Sequence, residues 1–312
     1  MAFDRLIEKI VEKQNPTVAG LDPKLAYIPD FIKEKAYAKY GKTLEGVAEA
    51  LLVYNKALID ALYDIVPAVK PQAAYYEMYG WQGVKTLAET IAYAKSKGMF
   101  VITDGKRNDI GTTMEAYANA HLGVTDIEGD NVSAFGADAL TVNGYLGSDG
   151  IMPVINVSKK MDTGMFVLVK TSNPSSGELQ NLELKSDESI YLHMGKLCED
   201  WGQDLMGKYG YSGVGAVVGA TYPQQLTELR KELPHTFFLV PGYGAQGGTA
   251  DDIAGAFDSN GLGAIVNSSR GIMCAWQKEE NCPPQDFAQA ARREALKMKK
   301  LLTDVTGEIK LP

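Results

Sequence analysis

The sequence predicts an α/β fold, a (β/α)8 barrel with one additional helix at its N-terminus, and three observations carry that expectation. Eight short runs rich in Val, Ile, Phe and Thr recur along the chain. They are TVAGLD (17–22), IVPAVK (65–70), MFVITD (99–104), DALTVN (138–143), MFVLVK (165–170), VGAVVG (214–219), TFFLVP (236–241) and GAIVNS (263–268). The segments between them space their apolar residues by three or four, as helices do. Polar residues then recur where the runs end, at Asp22, Lys70, Asp104, Asn143, Lys170 and Asn267.

Each run is apolar throughout rather than alternating, so both faces of its sheet must be covered, which parallel strands with helical crossovers achieve. An open doubly wound sheet shares this local pattern, but eight units in 312 residues favour closure into a barrel. In a barrel the loops after the strands build the site, so the six polar strand ends describe a polar mouth.

The first element, MAFDRLIEKIVEK, places Phe3, Leu6, Ile7, Ile10 and Val11 at amphipathic spacing among charges, which predicts a helix rather than the apolar core of a signal peptide. In EGVAEALLVYNKALIDALYD (45–64), Val47, Leu51, Tyr54, Leu58 and Leu62 form one stripe. YPQQLTELRKEL (222–233) opens with a proline that a first helical turn accepts. The polar stretches 24–44, 119–134 and 174–190 read as long loops. No compositional break or linker divides the chain, so residues 1–312 are expected to form a single domain.

Composition narrows the function. Asp plus Glu outnumber Lys plus Arg by 39 to 31, a net charge of −8 that argues against a nucleic-acid partner. No apolar run nears the roughly 18 residues of a membrane span. Cys198, Cys274 and Cys282 are odd in number, without CxxC spacing, and His121, His193 and His235 are scattered. Neither a disulfide framework nor a metal cluster is expected, and a reducing cytoplasm is the natural setting.

Three constellations carry chemistry. In VITDGKRNDIGTT (101–113), Asp104 and Lys106 are two apart and share a face if strand geometry persists. Asp109 starts the following turn, and Thr113 lies one helical turn beyond it. The plain alternative is a strand-end ion pair with Asp109 as a helix N-cap. With Lys70 closing the previous strand, two lysines and two carboxylates can form an alternating array, costly to desolvate unless complete and useful as a pre-organised field. The second constellation joins PGYGAQGG (241–248) to NSSRGI (267–272), glycine-rich backbone plus Arg270 in the usual phosphate position of this fold. The third is VKTSNPSSGE (169–178), where Ser172 and Ser176 can hydrogen-bond a polar heterocycle. There Lys170, followed by Thr and Ser, also resembles the Schiff-base lysine of deoxyribose-phosphate aldolase.

Together these residues resemble the orotidine 5′-phosphate decarboxylases, in the longer bacterial or archaeal branch of that family. The family motif D-x-K-x-x-D-I-x-x-T is filled at every fixed position by Asp104, Lys106, Asp109, Ile110 and Thr113. Asp22, Lys70, Ser172, Gln246 and Arg270 follow in the family's order. The resemblance implies conversion of orotidine 5′-phosphate to UMP and CO2, the last step of pyrimidine synthesis, without cofactor or metal.

It also implies the roles. Lys106 would stabilise the developing carbanion and donate the replacing proton, with Asp104, Lys70 and Asp109 completing the charged array. Arg270, Ser269 and the glycine-loop backbone at Gly247 would hold phosphate, and Gln246 would bridge phosphate and pyrimidine. Ser172 would read the pyrimidine amide edge, while Asp22 and Lys70 would bind the ribose hydroxyls. Asp109 and Thr113 would reach into the neighbouring subunit's site, making a homodimer part of catalysis. Asn143, where many members carry histidine, and Tyr243, in a variable loop position, depart from the pattern. Magnesium-dependent relatives share the Asp-x-Lys-x-x-Asp core but typically offer a glutamate where Lys70 stands. A nucleotide-binding barrel that has lost its chemistry is the non-enzymatic alternative.

Overall fold

The computed structural model describes residues 1–244 and 247–312. All eight expected barrel strands are present. In chain order the strands are β1 (Thr17–Leu21), β2 (Ala68–Pro71), β3 (Phe100–Arg107), β4 (Thr125–Ile127), β5 (Asp130–Val132), β6 (Ala139–Val142), β7 (Gly164–Lys170), β8 (Val214–Val218), β9 (Phe238–Val240) and β10 (Ala264–Ser268). Parallel pairing closes the barrel in the order β1-β10-β9-β8-β7-β6-β3-β2, while β4 and β5 form a separate antiparallel pair.

The helix Ala2–Lys13 buries Phe3, Leu6, Ile7 and Ile10, leaving Val11 half-buried. Phe3 stacks on Phe166 at 4.8 Å and meets the edge of Phe100 at 6.4 Å and the tilted ring of Phe237 at 5.8 Å. These aromatics lie at or near the starts of their strands, so the extra helix closes that end with apolar surface. Each such ring stabilises by roughly 1.5–3 kcal/mol through burial. The opposite end is left for polar side chains.

The helix Leu44–Leu62 buries the whole stripe Val47, Leu51, Tyr54, Leu58 and Leu62, and the Thr43 hydroxyl caps it by accepting from the Gly46 N–H at 3.2 Å. The Tyr54 hydroxyl donates to the Met273 carbonyl at 2.6 Å, which fixes the segment just after β10. The helix Pro223–Glu232 starts at its proline and buries Leu226 and Leu229.

Some boundaries differ from expectation. β2 begins only after Pro67, which has no N–H to add to a ladder. β3 runs on to Arg107 through a register shift between Thr103 and Arg107, with Lys106 in a left-handed backbone, φ 47°. The three polar stretches are not plain loops. The first holds a helix, Asp30–Tyr40, whose Ile32 and Ala36 pack on the core, and the third holds a short helix, Gly177–Gln180. The second begins in the helix Gly111–Leu122 and continues into the β4–β5 hairpin. Its two turn residues, Glu128 and Gly129, both have positive φ, the requirement of a two-residue hairpin turn.

Candidate active site

The mouth is organised around one carboxylate. Asp104, only 6% exposed on β3, accepts at each oxygen from two donors. Oδ2 receives the Lys70 ammonium at 2.5 Å and the Gln72 amide at 3.1 Å. Oδ1 receives the Lys106 ammonium at 2.6 Å and the Thr141 hydroxyl at 2.8 Å. Burial alone would raise the Asp104 pKa, but the charges of Lys70 and Lys106 override it and hold the carboxyl well below the usual carboxylate range. Burial likewise works against the Lys70 ammonium, yet Asp104 and then Asp22 reverse the balance and raise its pKa.

The two lysines differ in what they offer a ligand. Lys70 is 4% exposed and locked beneath the carboxylate. The Lys106 side chain is 45% exposed and reaches into the cavity. Its left-handed backbone places its N–H on the Thr141 hydroxyl at 2.9 Å, so Thr141 supports Asp104 and Lys106 together. Thr141 and Gln72 were missed by sequence reasoning. Gln72 had a signal, since it follows Lys70 by two and so shares its face.

A cavity of about 660 Å³ spreads from this array, within the range of small-molecule sites. Asp22, Lys70, Asp104, Lys106, Ser172, Ser269 and Arg270 all line it. Among the described residues one buried Asp22 oxygen has no hydrogen-bond partner, which leaves it able to accept from a ligand hydroxyl. Around the rim, Lys24 lies over the rings of Tyr27 and Tyr75.

The end bearing Arg270 is tightly built. Ser269 accepts from the Asn267 amide at 3.3 Å and rests against Gly20 of β1, where a Cβ would come within 1.9 Å of the Ser269 hydroxyl. The glycine loop is bonded to itself: the N–H groups of Gly244, Gly247 and Gly248 donate to the carbonyls of Gly248, Gly244 and Gly242. Gly247 adopts φ 99° and does not line the cavity, so in this conformation its N–H is not aimed at a ligand there. Gln246 lies outside the described residues.

Two of the six polar strand ends do not face the cavity. The exposed Asn143 turns its carbonyl oxygen back to the Tyr145 N–H at 3.0 Å. Lys170 is fully buried and bonded to Ser176 and Asn181, which removes it as a Schiff-base nucleophile for this cavity. Asp109 and Thr113 also lie outside this chain's cavity, both at least partly exposed. Asp109 is not the helix N-cap. That position falls to Ile110, whose N–H the Asp109 carboxylate accepts at 2.8 Å.

Fold and site define a (β/α)8 barrel whose mouth carries a buried carboxylate paired with two ammonium groups, the buried one of Lys70 and the more exposed one of Lys106. Residues 48–282 match the family described as "Orotidine 5'-phosphate decarboxylase / HUMPS family". The chain belongs to that family. It is 46% identical over 271 residues to the orotidine 5′-phosphate decarboxylase of Rhodopirellula baltica, covering 87% of each chain. It is 42% identical over 288 residues to that of Caldicellulosiruptor bescii, covering 92% of this chain and 93% of the relative. A crystal structure described as a putative orotidine 5′-phosphate decarboxylase from Streptomyces avermitilis superposes with a TM-score of 0.75 at 29% identity, covering 96% of this chain and 95% of that one.

Proposed function

We infer that this chain is an orotidine 5′-phosphate decarboxylase, converting orotidine 5′-phosphate to UMP and CO2 in the last step of pyrimidine synthesis. The observation that carries the mechanism is the asymmetry of the array: one carboxylate holds two ammonium groups that both line the cavity, that of Lys70 buried in its wall and that of Lys106 much the more exposed. The bond between the ring carbon and its carboxylate breaks, CO2 leaves, and the electron pair stays on the ring carbon. Lys106 stabilises that pair electrostatically and then donates a proton to it. Asp104, fixed near the departing carboxylate, keeps Lys106 aimed, and Lys70 compensates the buried charge.

Arg270 and Ser269 hold the phosphate, Gln246 bridges phosphate and pyrimidine, Ser172 binds the pyrimidine edge, and Asp22 with Lys70 the ribose; Gly247, whose N–H donates to the Gly244 carbonyl, joins the phosphate site only if that bond is exchanged for the ligand. Binding energy from the phosphate is available to the chemical step, so Arg270→Ala is expected to lower kcat as well as affinity. Both oxygens of Asp104 are already bonded to ammonium and neutral donors, an arrangement suited to charge stabilisation by side chains. The test follows the ultraviolet absorbance of orotidine 5′-phosphate with purified protein, with and without a chelator. An unchanged spectrum would overturn the activity, and chelator sensitivity would favour a metal-assisted reaction.

The working unit in this reading is a homodimer in which Asp109 and Thr113 complete the neighbouring site. Support comes from the surface around them. Met78, Trp81, Ile110, Tyr117, Tyr145 and Leu146, on the segments after β2, β3 and β6, all expose apolar side chains. Arg107 links two of these segments, pairing with Glu77 and lying over Tyr117. Sedimentation that finds a monomer at assay concentrations would overturn it. Among the described residues no helix is long and apolar enough to cross a membrane. On its three free cysteines and its pathway role, the enzyme is assigned to the cytoplasm.

A further inference from the structure

Lys170 is the last residue of β7 and is fully buried, yet the described residues place no carboxylate in ion-pair distance of it. Its ammonium donates to two neutral acceptors, the Ser176 hydroxyl at 3.0 Å and the Asn181 side-chain carbonyl at 2.9 Å, and lies 4.1 Å from the centre of the Tyr222 ring. Burying a cation without a counter-charge is strongly unfavourable, where an apolar side chain would cost little. Burial lowers its pKa accordingly. A group held at that cost needs a reason in what it holds.

What it holds is the segment after β7. The bonds run onward in a relay: Ser176 donates to the Tyr222 hydroxyl at 3.1 Å, which donates to the Asn173 carbonyl at 3.2 Å. The Thr221 hydroxyl donates to the Ser172 carbonyl at 3.1 Å, from the segment that also carries Tyr222. On the other side of Ser172, the Gln180 side chain clasps Thr171, accepting from its N–H at 2.9 Å and donating to its hydroxyl at 2.8 Å. Gly219 packs so closely that a Cβ there would lie 2.8 Å from the Ser172 Cα. Thr171, Ser172, Asn173, Ser175, Ser176 and Gln180 all line the cavity.

We propose that Lys170 is a positioning residue: through Ser176, Asn181 and Tyr222 it holds the 171–181 segment in the conformation that presents Ser172 to the heterocycle of the bound nucleotide. The proposal rests on the reading that the cavity takes orotidine 5′-phosphate with its pyrimidine at Ser172. Lys170 touches no substrate atom. Its effect is therefore confined to ligands that carry the base.

The experiment compares two probes by calorimetry, UMP and ribose 5-phosphate, on wild type, Lys170→Met and Tyr222→Phe, with kcat and KM measured for orotidine 5′-phosphate. In Lys170→Met, UMP affinity is expected to fall about tenfold, the equivalent of one misplaced hydrogen bond, with ribose 5-phosphate unchanged and the loss mainly in KM. Tyr222→Phe keeps the ring under the ammonium but cuts the relay, and is expected to lose about threefold for UMP alone. Adding Ser172→Ala to either variant should cost less than it does in wild type, since the positioned group is gone. Equal losses for both probes, or none for UMP, overturn the proposal. If Lys170→Met does not fold, Tyr222→Phe decides by the same criterion. A wild-type protein that neither binds UMP nor consumes orotidine 5′-phosphate overturns the underlying reading instead.

Discussion

Replacing Asp104 with Asn tests whether the mouth works as one coupled array. The substitution keeps the side chain's size and removes its charge. Each oxygen of Asp104 serves two donors, Lys70 with Gln72 on one side and Lys106 with Thr141 on the other. Whichever way the amide is turned, its NH2 must face one of those donor pairs, so a hydrogen bond becomes a donor–donor clash. Lys70 stays buried with Asp22 as the remaining acidic charge that acts on it. Breaking a buried pair costs about 3–5 kcal/mol, and the remaining charge of Asp22 places the expectation at ~3 kcal/mol. Urea unfolding of wild type and variant reads that number. Turnover should fall by about 10²–10⁴, the usual contribution of a positioned general acid, because Lys106 loses its anchor. A variant within about 1 kcal/mol of wild type, with kcat within about tenfold, would refute the coupling.

The same pair of proteins gives a pH test with a definite sign. The Asp104 pKa is lowered by folding, so its contribution is complete above the unfolded value of about 3.9 and is lost as pH falls below it. The Lys70 pKa is raised, so its contribution is complete below about 10.4 and is lost only as pH rises through the folded value. The stability gap between wild type and Asp104→Asn should therefore be flat through neutrality, narrow in acid, and persist into mild alkali. A gap that closes near neutral pH would assign the effect to another group.

Three further outcomes are expected. Lys106→Met should abolish turnover while leaving UMP affinity within a few-fold, because Lys70 still pairs with Asp104; calorimetry and the absorbance assay separate the two. Gly20→Ala should weaken UMP more than uridine, because the new methyl displaces Ser269 beside Arg270, and equal loss for both ligands would count against that end as the phosphate site. Mixing equal amounts of Lys106→Met and Asp109→Ala, each inactive alone, should restore about a quarter of wild-type activity, since random pairing makes half the dimers mixed and each has one intact site. No recovery after mixing under exchanging conditions would refute the shared site.

The barrel was legible because its cues are local. Each strand is a short apolar run, and each helix read from the sequence has a stripe that the structure buries, as Val47, Leu51, Tyr54, Leu58 and Leu62 show. The 119–134 stretch was misread for a physical reason: a hairpin of three-residue strands that are exposed throughout has no apolar alternation to reveal it. Its trace in the sequence is the Glu128-Gly129 turn. Thr141 was hidden differently. Its role depends on β6 lying beside β3, a pairing between positions 37 residues apart that no local pattern encodes.

The site was legible where two-residue alternation holds; across its breaks the expectation holds for Lys106, which still reaches the cavity beside Asp104, and fails for Lys170. Lys70 and Asn267 lie in regularly paired stretches of strand and Asp104 directly follows the last regular pair of β3, and all three face the cavity as expected. Ladder irregularities also lie on the two strands that carry Lys106 and Lys170, between Thr103 and Arg107 and between Leu168 and Lys170. On β7, Leu168 lines the cavity, and strict alternation would bring Lys170 to the same face; the shift turns it into the wall instead. On β3 the shift puts Lys106 in a left-handed backbone, at a cost of roughly 1–2 kcal/mol for a residue with a Cβ. The Thr141 bond and the Asp104 ion pair offset that cost, and they are the contacts that aim the ammonium. One irregularity thus delivers a lysine to the chemistry and the other withdraws a lysine to brace the loop beside it. A strand-periodicity argument assigns both residues to the mouth because it cannot register either break.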